Sequence, residues 1–167
     1  MGKLKQYHSG AWEIRAQGSG AAGGAGTSFT TNSKASMSAD QTITDKTWTK
    51  VAFNTDVIDT DNELDNTNYT WICTTTGTYI VSGVISWIAN DTGLRAIGIS
   101  EDGAAPTVTS YISTVQNAGA LATTRTFIFG TISCTAAQAI SIWGYHSKGS
   151  SLDIDADGSY FAVFRIA

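Results

Sequence analysis

Residues 53–79 read FNTDVIDTDNELDNTNYTWICTTTGTY, and this stretch carries the most information about the fold. Its widely spaced landmarks are Phe53, Asp59, Leu64, Trp71, Gly77 and Tyr79. Outside it, short runs rich in Thr, Ser, Val, Ile and aromatic residues recur between Gly, Asn and Asp, which is typical of a β-sandwich or barrel. No segment of helical length keeps a 3.6-residue period. The chain has 167 residues, enough for one domain with a full core.

The spacing of these landmarks resembles the signature of the complement globular-head family, a branch of the tumour-necrosis-factor-like jelly rolls. That signature has an aromatic residue, an acid or amide, an apolar residue, a second aromatic residue and Gly-x-Tyr. Val81 and Gly83 depart from it, because the family usually has aromatic residues there. Residues 159–166, SYFAVFRI, are similar to the last strand of the tumour-necrosis-factor group. The resemblance implies an all-β, antiparallel jelly-roll sandwich that forms a homotrimer. The resemblance does not indicate a function, because proteins of this fold have many different functions.

The pattern of residue types predicts nine strands. We expect them over residues 33–38, 48–54, 68–74, 77–89, 94–101, 107–116, 122–133, 138–147 and 158–166.

Three of the predicted strands (77–89, 122–133 and 158–166) are apolar on both faces, because side chains alternate along a strand. A sandwich strand with one wet face should instead alternate apolar and polar residues. One apolar face fills the core, and a symmetric partner is the simplest cover for the other. A loop or the N-terminal segment is the alternative cover. The side chains predicted to lie in the trimer interface are Tyr160, Ala162, Phe164, Ile166, Phe127 and Phe129.

The N-terminus is predicted to be separate from the jelly roll. Residues 1–17 form an attachment arm built on a small hairpin, residues 18–29 a Gly-rich linker, and residues 30–167 the jelly-roll domain. Tyr7, Trp12 and Ile14 are the expected anchors of the arm. Packing on the chain's own jelly roll is the alternative, since an isolated hairpin of this size is marginal in water.

Composition limits the partners and the location. The net charge is −4 and no patch rich in Lys and Arg occurs, so nucleic acid is not an expected partner. No secretory signal and no apolar run of membrane-spanning length is present, so membrane insertion is not expected. Cys73 and Cys134 are expected to be buried free thiols, with a disulfide as the alternative. The resemblance implies a mostly extracellular family. A virion protein made in a host cytoplasm would explain both the missing secretory signal and the resemblance to a mostly extracellular family. A fragment that lacks its signal would explain them equally well.

Catalytic motifs are lacking, and we expect no enzymatic activity. His146 is expected to be partly exposed near a strand end, and Arg95 to form a surface salt bridge. Asp153, Asp155 and Asp157 precede Gly158 in the order that opens a calcium loop.

Two interpretations of that acidic segment stay open. Calcium is one. An acidic turn is the other, because Phe164 stands where a calcium loop needs its final Glu. A second acidic run, over residues 56–65, is expected to be a solvated loop. No other cofactor is expected.

The hairpin and the Gly-rich linker favour attachment over catalysis. We therefore predict a bacteriophage structural protein at the virion surface: a trimeric capsid decoration or head-fibre protein whose arm binds the major capsid protein or another virion protein. Two alternatives stay open. One is the receptor-binding tip of a phage tail fibre, which would bind a host surface glycan or receptor. The other is a non-viral, complement-head-like recognition or lectin module.

Overall fold

The computed structural model describes residues 4–8, 11–15, 31–106, 111–116 and 123–167. All of its regular elements are strands, and none of the described residues forms a helix of the length and hydropathy needed to span a membrane. The strands are β1 (Leu4–His8), β2 (Ala11–Arg15), β3 (Asn32–Ser36), β4 (Gln41–Ile43), β5 (Thr49–Lys50), β6 (Thr55–Asp59), β7 (Leu64–Asp65), β8 (Thr70–Ile72), β9 (Gly77–Trp87), β10 (Leu94–Ser100), β11 (Tyr111–Gln116), β12 (Thr124–Cys134), β13 (Ala139–His146) and β14 (Leu152–Arg165).

Twelve of these strands form two six-stranded antiparallel sheets. Sheet 1 has the order β12-β9-β14-β3-β6, and β4 also pairs with β14. Sheet 2 has the order β11-β10-β13-β8-β7, and β5 also pairs with β13. Neighbours in each sheet are mostly distant in sequence, so the chain crosses repeatedly between the sheets, as in a jelly-roll sandwich. The strands β1 and β2 pair with each other as a separate hairpin, as expected from the sequence.

The long central strands follow the alternation of their side chains. In β12, every second residue is buried from Thr124 to Cys134, and the residues between them are exposed. In β9, Tyr79, Val81 and Ile85 are fully buried, while Ile80 and Val84 on the opposite side are partly exposed. One face of sheet 1 therefore fills the core, and the other faces outward.

The aromatic landmarks of the 53–79 stretch, Phe53, Trp71 and Tyr79, lie in the core between the sheets. The rings of Trp71 and Tyr79 meet edge to face with centroids 4.8 Å apart. The ring of Phe53 lies 6.1 Å from that of Phe161 on the last strand. These contacts hold the segment that precedes β9 against sheet 1.

Gly83 explains one departure from the family signature. A Cβ atom at this position would lie 3.1 Å from Ile142 and 3.3 Å from Ile97, both of which belong to sheet 2. The two isoleucines fill the space that a larger side chain at residue 83 would need.

Several boundaries differ from the sequence-based expectation. The strands β4, β6 and β7 were not predicted, and residues 48–54 form a strand only at Thr49 and Lys50. The last strand begins at Leu152 rather than at 158 and contains an irregularity between Asp155 and Tyr160. Residues 107–110 of a predicted strand and the linker 18–29 lie outside the described residues.

Candidate functional surfaces

The outward face of sheet 1 is rich in large apolar side chains, and we call it the outer face. Strand register aligns its side chains in rows across β12, β9 and β14, which are Phe127–Val84–Tyr160, Phe129–Ser82–Ala162 and Thr131–Ile80–Phe164. Phe127 and Phe129 are 70% and 65% exposed. Large apolar side chains in contiguous rows of this kind mark an interaction site rather than an ordinary surface.

All six side chains predicted for the trimer interface lie on or beside the outer face. Phe164 and Ile166, at the end of β14, are 41% and 40% exposed. Tyr160 is half-buried, and the ammonium group of Lys34 lies 4.9 Å from its ring centroid. Ala162 points the same way but is buried among its larger neighbours.

Arg125 borders one end of the outer face, beside Phe127. It is exposed, and its guanidinium lies so close to Gly158 that a Cβ atom there would be 2.7 Å from Nη2. Gly158 has a φ of +84°, which a side chain would disfavour independently. The glycine thus allows both the local chain path and the close approach of Arg125.

The three aspartates of the calcium-like motif lie within β14, next to the end of the outer face that Arg125 borders. The Asp153 carboxylate accepts a hydrogen bond from Thr42 Oγ1 at 2.7 Å, and Asp155 Oδ1 accepts one from the Asp157 N–H at 2.9 Å. Ser159 Oγ closes the irregular segment by donating to the Asp155 carbonyl oxygen at 2.6 Å. Among the described residues, no group of three or more His, Cys, Asp or Glu side chains is placed to hold a metal ion. Calcium binding stays a prediction.

The second acidic run is not the solvated loop that the sequence suggested. Asp56 and Asp59 lie in β6, and Glu63 is buried. Glu63 Oε2 accepts a hydrogen bond from Trp71 Nε1 at 2.8 Å, and Oε1 accepts from both the N–H and the hydroxyl of Thr74. A carboxylate that receives three donors fixes the turn around it, so this acid has a structural role.

A second surface cluster lies on the opposite side of the sandwich, on the outward face of sheet 2. The rings of Trp48 and Tyr145 are 5.3 Å apart, and Lys50 Nζ lies 5.6 Å from the Trp143 ring centroid. All four side chains are half-buried. We call this set the aromatic cluster. Sequence analysis did not identify this cluster, because a Trp or Tyr in an alternating strand can lie either in the core or on the surface.

Arg95 and His146 are both fully buried, which corrects the expectations of a surface salt bridge and a partly exposed histidine. Arg95 donates to the carbonyl oxygens of Thr92 at 2.8 Å and Leu94 at 3.1 Å, and burial lowers the pKa of its guanidinium. His146 Nε2 lies 3.0 Å from the Ile43 carbonyl oxygen.

Their contacts assign both residues to structure. The Lys148 N–H donates to His146 Nδ1 at 3.3 Å, and the same nitrogen lies 3.6 Å from Asp45 Oδ1. Arg95 and His146 flank the Trp87 ring, at 6.0 Å and 5.9 Å. They hold one end of the core together.

The predicted arm anchors Tyr7, Trp12 and Ile14 lie on the hairpin, where Tyr7 and Trp12 are directly paired. The structure describes only the backbone of these residues. Their role in attachment stays a prediction.

Comparison with known proteins identifies the fold. No protein-family model matches the chain, and no curated protein is similar to it in sequence. Solved structures do match. The globular domain of zebrafish complement 1qA superposes with a TM-score of 0.55 at 11% identity, covering 82% of this chain and 98% of that one.

Two tumour-necrosis-factor-type structures are similarly close. Eiger TNF from S. frugiperda gives a TM-score of 0.56 at 10% identity, covering 82% of this chain and 92% of that one. Murine APRIL gives 0.54 at 12%, covering 81% and 98%. The described chain is therefore an all-β, antiparallel jelly-roll sandwich of the kind shared by complement heads and tumour-necrosis-factor proteins.

Proposed function

We propose that this chain forms a homotrimer through the outer face of sheet 1 and acts as a trimeric attachment and recognition module. The exposure of Phe127 and Phe129 carries this proposal. Two phenylalanines in adjacent rows of one sheet face gain hydrophobic free energy when a second copy removes them from water, about 2 kcal/mol for each ring fully buried.

The arrangement of polar groups supports the same assembly. Lys34 covers Tyr160 on one side of the outer face, and Arg125 stands at its end, so charged groups border an apolar centre. A polar rim around an apolar core is the usual anatomy of a protein interface. The aromatic cluster lies on the other sheet, so a trimer built on the outer face leaves the cluster accessible.

The more specific proposal is a virion structural protein, a bacteriophage capsid decoration or head-fibre protein. Its support is the separate β1–β2 hairpin that precedes a Gly-rich stretch. Three arms on one trimer would act together. Linkage turns the second and third contacts into intramolecular events, and avidity rises by roughly 10²–10⁴ over a single arm. Each arm then needs only weak affinity for a capsid protein.

Deleting residues 1–26 tests the arm. We expect a folded trimer that no longer binds the particle, because the twelve strands of the two sheets all begin at Asn32 or later. Trp12→Ala should weaken particle binding without changing the Tm of the jelly roll. The matched control is Lys5→Ala on the same hairpin. Normal binding by the deletion variant would assign the contact to the jelly roll and overturn the attachment role of the arm.

The aromatic cluster favours a second candidate function, recognition of a host surface glycan or receptor by a tail-fibre tip or by a non-viral module. Half-exposed Trp and Tyr rings offer apolar faces together with polar edges, the combination that binding surfaces use. Copy number per purified particle separates the candidates. Hundreds of copies indicate decoration, a handful indicates a tail fibre, and none contradicts both virion roles.

A further inference from the structure

The chain's two cysteines come from different sheets and are buried in the same core. Cys73 directly follows β8 of sheet 2, and Cys134 is the last residue of β12 in sheet 1. Both are buried in the same core, and the turn that follows Cys134 is hydrogen-bonded to the backbone of Cys73. They are the only cysteines of the sequence.

The backbone around both residues is already fixed. The Cys73 N–H donates to the Gln138 carbonyl oxygen at 2.9 Å, and the Ala137 N–H donates to the Cys73 carbonyl oxygen at 2.7 Å. The turn that follows Cys134 therefore holds Cys73 in place. Cys134 itself pairs with Gly77 at the start of β9. Both Cα positions are thus set by backbone hydrogen bonds, independently of the thiols.

The surroundings of the sulfur atoms disfavour reaction in the folded, reduced protein. Cys73 Sγ lies 3.2 Å from the Thr75 carbonyl oxygen and 3.9 Å from Tyr79 Oη. Burial raises the pKa of both thiols, that of Cys134 to about 12. The thiolate is the reactive species, so the native thiols react slowly with an oxidant in solution. In the unfolded chain they titrate near their ordinary value of 9.0 and are accessible.

We propose that Cys73 and Cys134 form an intrachain disulfide that joins the two sheets when the chain folds in the presence of a small-molecule disulfide such as oxidised glutathione. One protein thiolate attacks the glutathione disulfide, forms a mixed disulfide and releases one glutathione thiolate. The second protein thiolate attacks the sulfur of the protein cysteine in that mixed disulfide and releases the second glutathione as its thiolate. Each protein thiol loses a proton, and the two electrons reduce the glutathione disulfide to two thiols.

The cross-link closes a loop of about sixty residues and restricts the unfolded chain, which raises stability. Its position also matters, because it joins the end of β12, which carries Phe127 and Phe129, to the opposite sheet. A chain that folds in a reducing compartment lacks the bond. The same chain refolded under oxidising conditions gains it without a change of fold.

Refolding of the full chain tests this inference. The chain is denatured, reduced, and refolded either with a reduced and oxidised glutathione mixture or with reductant alone. We expect the glutathione sample to lose two hydrogens in intact mass, to take up no alkylating agent after denaturation, and to melt roughly 5–15 °C higher. A double Cys73→Ser, Cys134→Ser variant should melt at one temperature in both buffers.

Three results overturn the inference. Two alkylated cysteines after refolding with glutathione would show that the bond does not form. Cross-links between chains, seen on a non-reducing gel, would show that the thiols do not meet within one chain. An intrachain bond with no rise in Tm would show that it does not stabilise the sandwich. The mass and alkylation measurements use the natural sequence, so they do not depend on the folding of the variant.

Discussion

Glu63 is the single side chain that most clearly links the 53–79 stretch to stability. Its carboxylate receives the Trp71 indole N–H and two donors from Thr74, and it does so inside the protein. Sequence reasoning placed it in a solvated acidic loop, because five acids within ten residues look like a wet surface. A one-dimensional pattern cannot show that the Trp71 indole N–H points at one of those acids. Phe53, Trp71 and Tyr79, by contrast, belong to the spacing that the sequence analysis singled out, and all three are buried.

Removing this carboxylate should destabilise the protein strongly. Glu63→Ala leaves the Trp71 Nε1 and Thr74 donors buried without their acceptor, and we expect a loss of about 3 kcal/mol. The measurement is the free energy of unfolding in urea at a fixed protein concentration. The control is Asp56→Ala, an exposed acid of the same stretch, which should change stability by about 0.5 kcal/mol or less. Equal unfolding midpoints for both variants would remove Glu63 from this role.

Alkaline pH should destabilise the fold through Tyr79 and the two cysteines. Burial raises the pKa of Tyr79, Cys73 and Cys134 above their ordinary values of 10.0, 9.0 and 9.0. Their native forms stay protonated while the unfolded chain ionises. The unfolded state then binds fewer protons, and stability falls as pH rises.

The Tm should therefore be constant up to about pH 8.5 and fall progressively above it. Tyr79→Phe removes one of the three ionising groups, so its decline above pH 10 should be shallower than that of the unmodified chain. The measurement is a series of thermal melts between pH 7 and 11. A Tm independent of pH over this range would contradict the assignment.

The long strands β9 and β12 were predictable because each is a long run rich in β-branched and aromatic residues. The short strands β4 and β7 were not, because two or three residues carry no readable period and pair only where a neighbour supplies the partner. The start of β14 was missed for a different reason. Alternating aspartates read as a loop, but Asp153 and Asp155 extend the strand by pairing with Thr42 and Ser86.

Gly77 tests how β9 and the end of the chain fit together. A Cβ atom there would lie 2.3 Å from the Ala167 carbonyl oxygen and 2.8 Å from Arg165 Nε. Gly77→Ala must push the end of β14 away from β9, and we expect a loss of about 1–3 kcal/mol by chemical denaturation.

Gly103→Asn is the matched control. Gly103 has open space around it and a φ of +76°, a conformation that Asn tolerates. The two variants should therefore differ clearly in unfolding midpoint. An unaffected Gly77→Ala would mean that the close approach is not needed for stability.

The whole molecule is organised by two different faces. The outer face could be predicted in part, since strands that are apolar on both sides need a second cover. Its position relative to the aromatic cluster could not, because this depends on which sheet each strand joins. The attachment role of the hairpin rests on composition and local pairing, and binding experiments on particles address it directly.

A charge on the outer face should break the assembly. Phe129→Asp places a carboxylate where the partner's apolar surface would cover it, at a cost of several kcal/mol. We expect it to yield monomers or to fail to fold. Ser150→Asp, at an exposed loop position, adds the same charge and should leave the assembly intact. Identical assembly states for the two variants would place the interface elsewhere.

The molar mass of the full chain in solution, measured by light scattering at micromolar concentration, tests the central claim most directly. The exposed rows of the outer face predict three times the chain mass of 17.6 kDa. They also predict that this trimer mass stays constant on dilution until the protein concentration is low enough for the three subunits to dissociate together. A stable particle of one chain mass, with Phe127 and Phe129 open to solvent, would contradict the account.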